Sequence, residues 1–329
     1  MLEKIFVLGS NSFTASHFIN HALSENLEVV GVSRSEELDS VFLPYKQNTN
    51  GKFQFYKLNI NENLDEIMEL INEFKPDYII NFSAQGMVEE SWKRPEQWLT
   101  TNFLSAVKFH DRLRSYSGLK RYIQSSTPEV YGSTIEPVNE NAGYNPSTPY
   151  AVSKAACDMS LNAWFSRYNF PVILTRAANV YGPGQQLYRI IPRTIMYIKQ
   201  GKKLSLHGGG KVRRSFIYIT DVSKAILGLA RNGESGQAYH LATNQIVTIS
   251  DVVNLICKKM DVNFSDHVKI TDTRGKQDDA YLMNSDKVRQ QLLWNDDVSL
   301  EQGIEKTISW VDKNFNQLLK QPENYVHKA

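Results

Sequence analysis

The first half of the chain alternates between short apolar segments and segments with helical spacing, and this alternation limits the possible folds most. Apolar segments with the length of buried strands lie at 4–8, 27–32, 55–60, 78–82, 120–126 and 172–176. Segments with helical spacing end near Leu23 and cover 63–73 and 102–113. Such an order predicts an α/β fold, a doubly wound parallel sheet with helices on both faces.

Small or hydroxyl residues follow several of the predicted strands, at the sheet edge where ligands bind in folds of this class. They are Gly9, Ser33, Ser83, Thr127 and Ala177. Because these positions should share one edge of the sheet, the sequence predicts a ligand site there.

The segment 9–16 after the first strand is a turn of small residues that leads into a helix. A strand, a tight turn and a helix N-terminus form the first unit of a Rossmann dinucleotide site, where free N–H groups bind a pyrophosphate. Gly9, Ser12 and Ala15 keep the spacing of the three glycines of that turn, although two glycines are replaced. A turn without a ligand is the alternative. The expected cofactor contacts are Gly9, Asn11, Ser12, Phe13 and Thr14.

The second predicted strand ends in Ser33 and Arg34 rather than in the acidic residue that binds the ribose 2′-hydroxyl of NAD. A hydroxyl and a guanidinium suit a 2′-phosphate, so NADP is favoured over NAD. A solvated Arg34 is the alternative. Asn59, followed by Ile60, stands at the end of the third strand, where it could bind the adenine edge or cap a turn.

Tyr150 and Lys154 lie four residues apart and therefore on one face of a helix. A free phenol has a pKa of ~10, and a nearby ammonium lowers that pKa. The pair could therefore accept the proton of an alcohol that is oxidised to a ketone. Glu129, in the segment Thr127-Pro128-Glu129-Val130-Tyr131-Gly132, would add a second acid/base group.

Composition excludes several other classes of protein. The chain has 329 residues, 41% of them hydrophobic, which is enough for a large core and two lobes. A net charge of +2 argues against a general nucleic-acid binder. No apolar run approaches the roughly 18 residues that span a bilayer. We expect no signal peptide, no metal site, since the two cysteines have no zinc-like spacing, and a cytoplasmic location.

The pattern changes after Asn179, where glycine-rich segments interrupt the chain. We expect a cofactor-binding domain at 1–180, with returning segments at about 214–245. The part from 181 to 329 should mainly bind the substrate. A helix is predicted at 249–260 with Thr248 as its cap, and the end, 321–329, is predicted to be frayed.

Several segments together resemble one family over about residues 4–315. They are the turn at Gly9, Asn81-Phe82-Ser83-Ala84-Gln85-Gly86-Met87-Val88, Asn102, the set Thr127, Glu129, Tyr150 and Lys154, and Arg176-Ala177-Ala178-Asn179-Val180-Tyr181-Gly182-Pro183. The sequence thereby resembles the extended short-chain dehydrogenase/reductase family, and within it the nucleotide-sugar 4,6-dehydratases. The Arg34 position also resembles the NADP-dependent GDP-mannose branch.

The resemblance implies roles for the matched residues. Thr127, Glu129, Tyr150 and Lys154 would be catalytic. Ser83, Ala84, Gln85, Asn102, Tyr150 and Lys154 would contact the cofactor. The substrate would meet Gln85, Ser126, Thr127, Asn179, Arg189 and Arg214, with Ser126 orienting the backbone rather than reacting. A homodimer through 102–113 and 154–164 is also implied.

Four departures from the family pattern bear on activity. Pro128 replaces an Asp, or a Ser in some branches of the family, and Met87 replaces a His near the nicotinamide. In the resembled dTDP-glucose enzymes that Asp protonates the departing hydroxyl. Asp278 and Asp279 stand near where the family often carries arginines for the nucleotide, and Asp279 is the expected contact there. The sugar and the nucleotide base therefore cannot be carried over.

The resemblance implies conversion of a nucleotide hexose to its 4-keto-6-deoxy form. C4 would be oxidised, water would leave across C5 and C6, and the hydride would return to C6. The alternatives are a 4-epimerase, a 4-keto reductase or a decarboxylase of the same family. Glu129 favours the dehydratase and Pro128 the alternatives. A non-catalytic NAD(P)-binding or sensor protein is a third possibility.

Overall fold

The computed structural model describes residues 2–272 and 280–328. The strands are β1 (Lys4–Leu8), β2 (Glu28–Ser33), β3 (Lys52–Lys57), β4 (Tyr78–Asn81), β5 (Arg121–Ser125), β6 (Val172–Ala177), β7 (Asn179–Tyr181), β8 (Leu204–His207), β9 (Arg213–Tyr218), β10 (Gln237–Leu241), β11 (Ile246–Thr248) and β12 (Val268–Thr271).

The α-helices are α1 (Phe13–Ser24), α2 (Leu64–Phe74), α3 (Val88–Lys93), α4 (Pro95–Leu99), α5 (Ser105–Leu113), α6 (Pro149–Tyr168), α7 (Ile190–Lys199), α8 (Ile219–Asn232), α9 (Ile249–Lys259), α10 (Phe264–His267), α11 (Asp286–Leu292) and α12 (Leu300–Leu318). Within the described residues, no helix combines the length and the apolarity needed to cross a membrane.

The main sheet has seven strands in the order β10-β6-β5-β4-β1-β2-β3, and all neighbours are parallel. Successive side chains of a strand point to opposite faces. Ile5 and Val7 of β1 therefore pack in one core with α1 and α8, whereas Phe6 and Leu8 pack in a second core with α2, α5 and α6. Burial on both faces explains the continuous apolar strands, and the predicted Rossmann-type α/β fold is confirmed.

The second lobe contains two small sheets, β11-β9-β7 and β12-β8, packed with α7, α9 and α12 around a third core. Two elements of the segment 214–245 return to the main lobe: α8 packs on α1, and β10 pairs with β6. Thr248 caps α9 in a capping box with Asp251, as the sequence predicted.

The third strand and the helix at 102–113 differ from the prediction. The strand is Lys52–Lys57 rather than 55–60, because it pairs residue by residue with β2 and that ladder ends at Ser33. Asn59 and Ile60 therefore follow the strand. The helix begins with a wide π-turn at Thr100–Leu104, and two short helices that the sequence analysis missed, α3 and α4, precede it.

Candidate active site

A cleft of about 1390 Å³ opens at the carboxyl ends of the main-sheet strands, beside the second lobe. A smaller pocket of about 190 Å³ adjoins it above β1 and β2. The cleft is lined by the predicted residues Ser12, Phe13, Thr14, Arg34, Ala84, Gln85, Ser126, Thr127, Glu129, Tyr150, Lys154, Asn179, Arg189 and Arg214. The pocket is lined by Gly9, Asn11, Ser12, Ser33, Arg34, Asn59, Ile60, Ser83 and Ala84.

Tyr150 stands in the first turn of α6, and local sequence fixes the start of that helix. The Thr148 side chain accepts a hydrogen bond from the Ala151 amide. Pro149 takes the first helical position, where a backbone N–H would have no partner within the helix, so its missing N–H costs nothing. The Tyr150 phenol is half-buried and forms a hydrogen bond with the side chain of Thr127. The helix start thus places the phenol against the end of β5.

Burial dominates the acidity of Tyr150. The pKa of its phenol is raised by burial first and by the charge of Glu129 second, whereas the hydrogen bond with Thr127 and the charge of Arg189 lower it. The sequence analysis expected Lys154 to lower this pKa, whereas the net shift in the structure is upward. The Lys154 ammonium is buried and donates to the Ser125 carbonyl at 2.6 Å, so it is held by β5.

Glu129 lies in a short 3₁₀ turn, Pro128–Tyr131, that follows β5. Thr127 caps this turn by accepting a hydrogen bond from the Glu129 amide at 3.3 Å, and Pro128 occupies its first position. Glu129 lines the cleft, and its negative charge raises the pKa of Tyr150. A carboxylate and a phenol are therefore neighbours in one cleft, the arrangement that acid/base chemistry on a bound alcohol requires.

The turn after β1 fits the diphosphate of a dinucleotide. Gly9 has a φ of +75°, and a Cβ atom there would come within 2.7 Å of the Ser83 amide nitrogen, so only glycine allows this close approach. Ser12 caps α1 through the Ala15 amide, and the first helical residues, Phe13 and Thr14, line the cleft. The free N–H groups at the start of a helix can bind an anion. The turn of residues 9–16, called the cradle below, thus keeps its close backbone approach at Gly9 although two glycines of the family pattern are replaced.

The residues after β2 border the smaller pocket. Arg34 is half-buried, which lowers the pKa of its guanidinium, and it donates to the Lys328 carbonyl at 3.0 Å. Asn11 donates from its amide to the carbonyls of Ser35 and Glu36, at 2.9 Å each, and so holds the loop after β2 in place. The Asn59 side chain accepts from the Asn61 amide, which is the turn-capping alternative of the sequence analysis.

Asn102, which was predicted to contact the cofactor, is not among the residues that line the cleft or the smaller pocket. Its buried side chain accepts from the Gln85 amide at 2.7 Å and donates to the Gln85 carbonyl and to the Ser153 hydroxyl. All three bonds brace the loop after β4 against α6. Asn102 therefore orients Gln85, which does line the cleft.

Two arginines border the second-lobe side of the cleft. The guanidinium of Arg189 lies 5.3 Å from the ring of Tyr188, and that of Arg214 lies 4.6 Å from the ring of Tyr281. Both line the cleft together with the exposed Asn179, so this end carries positive charge. Asp279, the expected contact with the nucleotide, lies outside the described residues.

Comparison with known proteins assigns the chain to a family. The profile of the GDP-mannose 4,6 dehydratase family matches residues 6–307. The chain belongs to the nucleotide-sugar 4,6-dehydratase family. These are enzymes of the extended short-chain dehydrogenase/reductase class, as the motifs predicted.

The chain is similar to two curated members along almost its whole length. It is 30% identical over 322 residues to dTDP-D-glucose 4,6-dehydratase of Mus musculus, covering 95% of this chain and 90% of the mouse protein. It is 29% identical over 320 residues to a trifunctional UDP-glucose 4,6-dehydratase/UDP-4-keto-6-deoxy-D-glucose 3,5-epimerase/UDP-4-keto-L-rhamnose-reductase of Arabidopsis thaliana. There it covers 95% of this chain but spans only 47% of the plant protein.

A solved dehydratase structure agrees with the fold. The crystal structure of dTDP-glucose 4,6-dehydratase from Bacillus anthracis, in complex with NAD, superposes with a TM-score of 0.86 at 28% identity. The match covers 95% of this chain and 98% of the bacterial one.

The C-terminal tail, residues 321–328, belongs to none of the family motifs, and the sequence analysis did not predict that it contacts the cleft. Predicted to be frayed, it instead packs along the mouth of the cleft. The Lys328 carbonyl accepts from Arg34 and from Gln85, and His327 stacks on the ring of Trp98 at 5.5 Å. Tyr325 lines the cleft. Aromatic residues at a polar chain end were the available signal, since such side chains pack where they find partners.

Two further cleft residues, Trp92 and Tyr188, belong to none of the motifs, and a third, Met87, is a departure from one. Trp92 of α3 is exposed on the cleft wall, Tyr188 contacts Tyr325 edge to face, and Met87 stands where the family has a His. Among residues 2–272 and 280–328, no group of three or more metal-ligating side chains comes together.

Proposed function

We propose that this protein is a nucleotide-sugar 4,6-dehydratase that converts an NDP-hexose to its 4-keto-6-deoxy form. The supporting observation is the convergence of Thr127, Glu129, Tyr150 and Lys154 in one cleft beside the cradle at Gly9. Two separate elements, the turn after β5 and the start of α6, bring an acid/base carboxylate and a phenol together. An oxidation at C4 coupled to a proton abstraction at C5 needs both groups.

The cofactor and the side chains would divide the chemistry. A nicotinamide cofactor bound in the cradle would supply the redox capacity, by accepting the C4 hydride and returning it to C6. Tyr150 would take the proton of the 4-hydroxyl, while Thr127 hydrogen-bonds the 4-oxygen. Lys154 would hold the nicotinamide ribose.

The elimination would depend on Glu129. The ketone formed at C4 acidifies the C5–H bond, and Glu129 would remove that proton. Pro128 has no titratable group, so the hydroxyl that leaves C6 as water would receive its proton from Glu129 itself or through a water molecule. Arg189 and Arg214 would bind the diphosphate of the sugar nucleotide. In this division the part of the chain from 181 to 329 mainly binds the substrate and 1–180 the cofactor.

The second candidate is another reaction of the same cleft, a 4-epimerisation, a 4-keto reduction or a decarboxylation. Pro128 favours it, because the turn lacks the acid that the family uses for the leaving hydroxyl. Glu129 favours the dehydratase, because an epimerase needs no base at C5. A protein that only binds the cofactor would not need a paired phenol and carboxylate.

One incubation separates these candidates. The protein, as purified, is mixed with GDP-mannose, dTDP-glucose, CDP-glucose or a UDP-sugar without added cofactor, and the products are weighed by mass spectrometry. A dehydratase recycles its bound nicotinamide and yields a product lighter by one water. Unchanged mass with inverted C4 indicates an epimerase, whereas a reductase leaves these sugars unchanged and instead reduces a 4-keto sugar nucleotide with stoichiometric use of NADPH. No product from any of these sugars contradicts the proposal.

We expect Arg34→Ala to weaken NADP binding by roughly tenfold or more and NAD binding by much less. A guanidinium can fork onto the 2′-phosphate, a contact of ~1.5–3 kcal/mol that NAD cannot make. Arg34→Lys keeps the charge without the fork and should fall between the two. Fluorescence titration with each dinucleotide measures this. Equal losses for NAD and NADP would remove the preference for NADP.

We propose a homodimer through 102–113 and 154–164. Leu104 and Met159 are apolar residues on these two segments, and 48% and 58% of their surfaces are exposed to solvent. A double substitution, Leu104→Glu with Met159→Glu, is expected to halve the mass measured by light scattering, because it buries two charges at the interface. The control is Leu293→Glu, at an exposed leucine outside both segments. A wild-type monomer would contradict the dimer.

A further inference from the structure

A buried ion pair lies beneath the cleft. Asp158 of α6 and Arg176 of β6 are 0% and 2% exposed, and their carboxylate and guanidinium are 3.0 Å apart. Neither residue lines the cleft. Asp158 lies one helical turn after Lys154 and two turns after Tyr150.

One side of this pair is bonded to the residue that precedes the turn of Glu129. The Ser126 hydroxyl donates to the Asp158 carboxylate at 2.6 Å, a short charge-assisted hydrogen bond. Ser126 directly follows β5 and directly precedes Thr127. The N-terminal end of the turn is therefore tied to the helix that carries Tyr150.

The other side of the pair is bonded to the last residue of the same turn. Arg176 donates to the Tyr131 hydroxyl and, through its other terminal nitrogen, to the Tyr144 hydroxyl at 2.7 Å. Tyr131 ends the 3₁₀ turn in which Glu129 lies, whereas Tyr144 is outside it. One ion pair thus bonds Ser126, two residues before the turn, and Tyr131, the last residue of the turn.

The Tyr131 hydroxyl also contacts His240 and, at 3.3 Å, the Glu140 carbonyl. Burial and the charge of Arg176 lower the pKa of this histidine to about 3, so it is neutral. Its Nδ1 atom faces the Asn284 carbonyl at 2.9 Å and must donate there, which leaves Nε2 to accept from the Tyr131 hydroxyl at 2.7 Å. Tyr131 therefore both accepts and donates a buried hydrogen bond, and its ring position is set.

We infer that Asp158, Arg176 and Tyr131 are positioning residues that clamp the turn of Glu129 at a set distance from Tyr150; this inference rests on the proposed function for its catalytic consequence. A buried ion pair gives little net stability compared with apolar residues of the same size, so its contribution here is geometric. Because the proton transfer depends on sub-ångström placement, loosening one end of the turn slows it.

Tyr131→Phe and Tyr144→Phe form the matched test. Each variant removes one hydroxyl from the same guanidinium, but only Tyr131 belongs to the turn, and only its hydroxyl also bonds His240. Tyr131→Phe is expected to lower kcat by roughly 10²-fold with KM within about twofold, because a misplacement of about 1 Å costs that much. In a single turnover the reduced cofactor should then accumulate, since proton removal at C5 follows C4 oxidation. Tyr144→Phe should stay close to the wild type in both measurements.

Hydrogen–deuterium exchange gives a readout that needs no substrate. Amides of 127–132 should exchange faster in Tyr131→Phe than in the wild type and in Tyr144→Phe. Equal effects of the two substitutions on kcat, or unchanged exchange of these amides in Tyr131→Phe, would overturn the clamp. If the wild type forms no dehydrated product while the exchange difference is present, the proposed function and the catalytic consequence fail together, and the clamp itself is established.

Discussion

Tyr150→Phe is expected to lower kcat for dehydration by roughly 10²–10⁴-fold, the usual contribution of a positioned acid/base group. The substitution removes only the hydroxyl that faces Thr127 and Glu129, and it keeps the ring that packs in the cleft. Cofactor affinity should be nearly unchanged, because the cradle at Gly9 and the bond from Lys154 to Ser125 do not involve the phenol. Initial rates and a dinucleotide titration measure the two quantities.

Tyr188→Phe is the matched control, since Tyr188 is another phenol of the same cleft whose ring contacts Tyr325. It should retain most activity. A Tyr150→Phe enzyme with near wild-type kcat would show that another group accepts the proton of the 4-hydroxyl, and it would remove the mechanism proposed above. A parallel loss of cofactor binding would mean that the phenol, an expected cofactor contact, acts mainly by binding the cofactor and not as the base.

Local sequence was sufficient to predict the elements that position the site. The alternation of apolar strands and helices predicted the parallel sheet, because strands buried on both faces need continuous apolar residues. The spacing of Tyr150 and Lys154 predicted one helix face, and the small residues from Gly9 onward predicted the turn and helix that follow β1. Each of these features depends on residues only a few positions apart in the chain.

Contacts between distant segments could not be predicted in the same way. Lys154 was expected to act on Tyr150, but its ammonium reaches a carbonyl of β5, which only the folded sheet brings near. Asn102 matched a family motif, yet the loop it braces lies 17 positions earlier. The ion pair of Asp158 with Arg176 joins a helix to a strand. The periodicity of the sequence does not show which residues of the two elements face each other.

Glu129→Gln is expected to stop the elimination across C5 and C6 while it leaves the oxidation at C4 in place. Glu129→Gln keeps the size and hydrogen-bonding capacity of the side chain but removes the base that would act at C5. Dehydration should fall by roughly 10²–10⁴-fold. Oxidation at C4 uses Tyr150 as the base and does not need Glu129, so in a single turnover the absorbance of the reduced nicotinamide should rise and persist. Exchange of the C5 hydrogen with deuterated solvent should be lost.

The pH dependence of that first half-reaction should move in a defined direction. The negative charge of Glu129 is one of the causes that raise the pKa of Tyr150. Removing this charge favours the phenolate, so its pKa falls and the base form is present at lower pH. In Glu129→Gln, the rise of the C4 oxidation rate with pH should therefore be shifted toward acid. Glu89→Gln, at another carboxylate of the cleft wall, should leave the profile in place. A shift toward alkali, or loss of C4 oxidation together with dehydration, would show that Glu129 acts on the first step and not at C5.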